Sequence, residues 1–170
     1  TAYSMLALAY ACASQMRWGE AADLFQEVYV ARQRARQQKL IVEPLAGLLT
    51  VAMAMNDPQR LGAHLEELLR VLDESIADVA LDTAECYLAA LRALALVNDG
   101  RLVSVLCRAQ DFLAGRRSKV AGPDAFDAIP GHREIAALAQ TISECSCRNE
   151  VVSTSHAAVH ASHLHAAQTC

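Results

Sequence analysis

The chain has 170 residues, a formal net charge of −4, 54% hydrophobic residues and only 5% aromatic residues. That length suffices for one domain with a real core. The acidic balance argues against a dedicated nucleic-acid binder, which carries net positive charge or a basic stripe. The absence of an uninterrupted apolar run of about 18 residues argues against a membrane-spanning helix.

Alanine and leucine dominate the apolar content, and both favour helix. The first helix is expected over Ala2–Ser14, where Leu6, Ala9, Tyr10 and Ala13 recur at helical spacing. Gln15, Met16 and Arg17 form a short turn. The second helix covers Trp18–Gln38, with Leu24, Phe25, Val28 and Ala31 facing inward and Glu20, Asp23 and Glu27 outward. Its basic end, from Arg32 through Arg34 and Arg36 to Lys39, reads as a solvated terminus that offsets the negative end of the helix dipole. An acidic partner is the alternative.

Pro44 suits the first turn of a third helix, which carries Leu45, Leu48, Leu49, Ala52 and Met53. Asn56-Asp57-Pro58 then gives an N-cap followed by proline at the first helical position. The fourth helix points Leu61, Leu65, Leu68, Leu69 and Leu72 inward. A fifth is expected over Ile76–Val97, with Val79, Thr83, Cys86, Tyr87, Ala90 and Leu94 on its apolar face. Asn98-Asp99-Gly100 is a turn signal, and a sixth helix follows over Arg101–Ala114 with Leu102, Leu106, Ala109 and Leu113 in a stripe.

Residues 1–115 thus read as three antiparallel hairpins. Residues 116–131 have Gly122-Pro123 and Pro130-Gly131 but no periodicity, and read as a linker. Residues 132–147 form one more helix, with Ile135, Leu138 and Ile142 on a face, suited to capping the array. Residues 148–170 are a polar tail rich in His and Ser that would order on contact.

A pattern recurs at a spacing of roughly 40 residues. Trp18, Ala21, Phe25 and Val28 align with Pro58, Leu61, Leu65 and Leu68, and then with Asp99, Leu102, Leu106 and Ala109. A two-helix unit cannot bury both apolar faces alone, and stacking the next unit closes one side. The second-helix pattern, together with Leu8, Ala9 and Cys12 in the first helix, resembles the tetratricopeptide repeat family. The resemblance is good over residues 2–38, partial over 45–72 and poor beyond. It departs from the family in period, since that repeat is about 34 residues long, and in Val28, which stands where a smaller residue is usual. It implies a right-handed superhelix whose concave face holds peptides or other proteins. The residues that clamp a peptide carboxylate in some members have no counterpart here.

No nucleophile elbow and no phosphate-cradling glycine loop occurs, so catalysis is not expected. The tail histidines His156, His160 and His163 would share one helical face and, with Cys145, Cys147 or Cys170, offer a metal-site alternative. His156 and His160 lack the intervening glutamate of a metalloprotease. Cys107 reads as core packing, and Glu74, Asp78 and Asp82 as a solvated acidic stripe or a docking strip for a basic partner. The six cysteines read as free thiols of a reducing, cytoplasmic-type compartment. The expectation is therefore an all-α, non-catalytic scaffold without cofactor. It would bind a protein or peptide, or a second copy, through Tyr3, Tyr10, Met53 and Tyr87. A sensory segment of a larger regulator or assembly factor is the runner-up.

Overall fold

In the computed structural model, which describes residues 2–73, 83–119 and 123–142, one turn motif recurs after three helices of the same kind. These are α1 (Ala2–Ser14), α3 (Val42–Ala54) and α5 (Thr83–Leu96). Each ends on a left-handed residue: Met16 (φ 59°), Asn56 (φ 52°) and Asn98 (φ 53°). In each, the next amide donates back five residues, Arg17 to the Cys12 carbonyl at 2.9 Å, Asp57 to Ala52 at 3.0 Å and Asp99 to Leu94 at 2.9 Å. This pairing satisfies helix-end carbonyls that would otherwise lack partners. Past each turn a second helix runs back: α2 (Trp18–Arg34), α4 (Pro58–Asp73) and α6 (Leu102–Arg117). Asp57 caps α4 by accepting from the Arg60 amide at 3.0 Å, as its sequence signal requires.

The hairpins stack in a common orientation. Within the first, Tyr10 meets Phe25 edge-on at 5.0 Å and Arg32 lies over Tyr3, so α1 and α2 are antiparallel. Between hairpins, the second helices run alongside one another in the same direction. Tyr29 donates to Glu67, Arg101 donates to Glu66 at 3.0 Å, and Arg108 pairs with Asp73. The first helices form the inner layer. α3 packs against α1, α2, α4 and α5, and every residue from Val42 to Leu49 is buried. The stripe residues Ala21, Phe25, Val28, Leu61, Leu65, Leu68, Leu106 and Ala109 are all buried. The architecture is all-α, with no strand among the described residues.

Several boundaries differ from expectation. α2 stops at Arg34, because Arg36 takes a left-handed conformation (φ 55°) and a 3-10 turn, Gln38–Leu40, leads into α3. Ala31 is exposed, not inward. Residues 116–131 are no plain linker: α6 continues to Arg117, and Pro123–Asp127 forms a short helix, α7, that buries Phe126. Helix α8 occupies residues 130–142 and caps the third hairpin, with Ile135 and Ala139 buried in the main core and Glu134 ion-paired to Arg92 of α5 at 2.6 Å. The acidic stripe at 74–82 and the His- and Cys-bearing tail lie outside the described residues.

Candidate functional site

At the open end of the α1–α2 hairpin an ion pair is buried beneath two tyrosines. Arg32 is 1% exposed and Glu43 4%. The Arg32 Nη1 donates to Glu43 Oε2 at 2.8 Å and also to the Leu40 carbonyl. This corrects the reading of Arg32 as a solvated helix end. It is the bolt between the first and second hairpins, and a charge reads as surface only until a partner is brought to it. Its other terminal nitrogen, Nη2, is buried without a hydrogen-bond partner. The guanidinium stands 5.4 Å from the centre of the Tyr3 ring, whose face offers it partial electrostatic compensation.

Tyr3 is 53% exposed and Tyr10 45%. Tyr10 rests its ring against Phe25 and its hydroxyl donates to the Glu43 carbonyl at 3.4 Å. Phe25 in turn needs Gly47: a Cβ there would stand 2.4 Å from the Phe25 ring. So α1 supplies two half-exposed aromatics, α2 the cation and the ring behind them, and α3 the acid and the glycine that admits the ring. The structure places Tyr3 and Tyr10 on one side of α1, about two turns apart, Tyr3 over Arg32 and Tyr10 against Phe25 and the Glu43 carbonyl. It does not bring Met53 and Tyr87 to them. Met53 is partly buried near the other end of α3. Tyr87 is buried, tilted against Phe112 at 5.7 Å, and burial raises its phenol above the ordinary value, so it belongs to the core and is no surface anchor.

A second feature escaped the sequence reading. A cleft of about 360 Å³ opens over α3 between α2 and α4, with Asp23 and Gln26 on one wall, Arg60 and His64 on the other, and Leu48 and Val51 on its floor. His64 is half-buried there, and desolvation holds its imidazole below the ordinary value, against the opposing pull of Glu67. A more apolar cleft of about 650 Å³ lies between α6 and α8, beside Phe126 and Ile135. Cys107 is exposed on α6 and not packed in the core as expected, because the α6 stripe turns Leu106 inward and its neighbour out.

Among the described residues no three His, Cys, Asp or Glu side chains cluster in a metal-binding arrangement, and no helix is long and apolar enough to cross a membrane. Comparison with protein-family models, with curated proteins and with solved structures gives no match.

Proposed function

We propose that this chain is a helical-repeat interaction module of tetratricopeptide type, without catalytic chemistry, that holds a protein or peptide partner against the tyrosine patch. The observation that carries the reading is the way Tyr3 and Tyr10 are held. Both rings are about half exposed, yet Arg32 and Phe25 fix them from behind. Aromatics already ordered in the free protein lose little entropy on binding, which is what makes tyrosines efficient anchors. The patch carries no charge of its own, since α1 contains no Asp, Glu, Lys or Arg. The partner segment it suits is apolar, with a hydrogen-bond acceptor for a phenol.

The test is site-specific photocrosslinking from position 3 or 10 in native extract, with the captured partner identified by mass and then titrated as purified protein. Tyr3→Ala with Tyr10→Ala should weaken that binding at least about tenfold and leave helical circular dichroism intact. A Gln26→Ala control should not change it. Equal affinity in the double variant would remove the patch from the interface.

A further inference from the structure

The two interfaces between neighbouring second helices set equivalent positions against each other with different residues. The stripes that align Phe25 with Leu65 and Leu106 also align Gln26 with Glu66, Arg60 with Arg101 and His64 with Val105. Between α4 and α6 the interface is joined by charge: Arg101 donates to Glu66 at 3.0 Å, and Val105 is buried. Between α2 and α4 the same two places hold Gln26 and Arg60. Glutamine has no charge with which to capture the guanidinium. The ion pair that Arg60 does make, among the described residues, is a 3.4 Å contact from its Nε to Asp57 at the head of its own helix.

The cleft of about 360 Å³ opens at this unjoined interface, and Asp57 also borders it. Its volume lies in the range of small-molecule sites, which combine apolar walls with a few placed polar groups. Leu48 and Val51 give the apolar floor, Asp23 and Gln26 one polar wall, Arg60 and His64 the other. Neither Asp23 nor half-buried His64 makes a hydrogen bond or ion pair among the described residues. Desolvation favours the neutral imidazole, against the pull of Glu67 and Asp57.

We infer that this cleft binds a free α-amino acid with an apolar side chain. The ligand's carboxylate takes toward Arg60 the place that Glu66 takes toward Arg101. Its ammonium group meets Asp23 on the opposite wall, a carboxylate that would repel a plain organic acid. Both contacts are charge-assisted hydrogen bonds, the strong kind. The ligand's side chain lies on Leu48 and Val51, and Gln26 and His64 add neutral hydrogen bonds. None of the lining residues belongs to α1, so the site is separate from the tyrosine patch and its test does not depend on that patch.

The experiment is a titration of the full chain with L-leucine, L-methionine and three leucine analogues, followed through the Met55 methyl and His64 imidazole resonances. Leucinamide lacks the carboxylate, isocaproate lacks the ammonium, and N-acetyl-leucine has it blocked. Leucine or methionine should bind with a dissociation constant of about 1 mM or below, and all three analogues at least about tenfold more weakly. Asp23→Asn and Arg60→Gln should each cause a loss of similar size. Gln26→Glu should abolish binding, because it recreates across the cleft the carboxylate that Glu66 offers Arg101. All three positions are exposed, so these variants should keep the parent's circular dichroism. Failure of both amino acids to bind overturns the inference, and so does unaltered affinity in Gln26→Glu. Equal affinity for N-acetyl-leucine overturns it too, assigning the cleft to a peptide C-terminus.

Discussion

Replacing Arg32 by leucine, the residue that holds the equivalent place at Leu72 in the next hairpin, should destabilise the protein and not improve its core. Both positions are buried, Arg32 at 1% and Leu72 at 4% exposure, so leucine would be the natural choice on burial alone. The difference is Glu43. Its carboxylate sits 2.8 Å from the guanidinium with a side-chain exposure of 5%, and the substitution takes that cation away while the carboxylate stays in place. Breaking a buried pair from one side costs about 3–5 kcal/mol. The apolar surface that leucine buries returns about 1–2 kcal/mol. A net loss of about 1–4 kcal/mol remains, which for a domain of this size lowers the thermal midpoint by roughly 2–16 °C. Arg32→Leu combined with Glu43→Leu removes both charges and should recover to within about 1 kcal/mol of the parent. Urea unfolding of the four proteins, followed by circular dichroism, gives the coupling energy, expected at about 2 kcal/mol or more. A single variant as stable as the parent, or penalties that simply add, would refute the account of Arg32 as a bolt.

Gly47→Ala forces a methyl to within 2.4 Å of the Phe25 ring, and such overpacking should cost about 1–3 kcal/mol in the same assay; Phe25→Leu should relieve most of the strain, and independent, additive losses would argue against it. His64 is held below its ordinary 6.5 in the folded chain, so on acidification the unfolded chain takes the proton first and stability falls as pH drops below 6.5. In His64→Gln that part of the fall should vanish, and an unchanged pH profile would show that His64 contributes none of it. Met16 holds a left-handed conformation at 74% exposure, so Met16→Gly should stabilise by about 0.5–1 kcal/mol; a lower midpoint would mean that the side chain is needed there.

The parts of the fold legible in the sequence were those in which local chemistry and burial agree. Leu61, Leu65 and Leu68 repeat at helical spacing, and Asp57-Pro58 carries a cap that needs no tertiary partner. The turn at Met16 was placed, but its left-handed residue was not signalled, since methionine has no preference for that conformation. Arg36 is a similar case, and there the missing signal moved the predicted helix end four residues too far. α7 lacked enough length for a periodicity to show, and only Phe126, an isolated aromatic between two glycine-proline pairs, hinted that something there is buried.

The site was harder to read because its decisive contacts cross between hairpins. Tyr3 and Tyr87 look alike in sequence, each an aromatic on the first helix of a hairpin. Counted back from the turns at Met16 and Asn98, Tyr3 holds the place of Glu85, exposed even on the enclosed α5, while Tyr87 holds the place of Met5, which packs against the core of its own hairpin. An isolated tyrosine does not show which face of its helix it occupies until the register of the hairpin is known. The same logic explains why the repeat looks degenerate. Arg32 and Leu72 occupy equivalent places, yet the first tolerates a charge because the 3-10 turn offers the Leu40 carbonyl and α3 carries Glu43 in its first turn. At the second, Leu72 lies in the continuous apolar core of the second and third hairpins. Each interface between units has its own chemistry, so the sequence drifts where the backbone geometry does not. The turns at Met16, Asn56 and Asn98 keep one left-handed residue and one five-residue back-bond while their side chains differ, and Arg36 closes α2 in the same way.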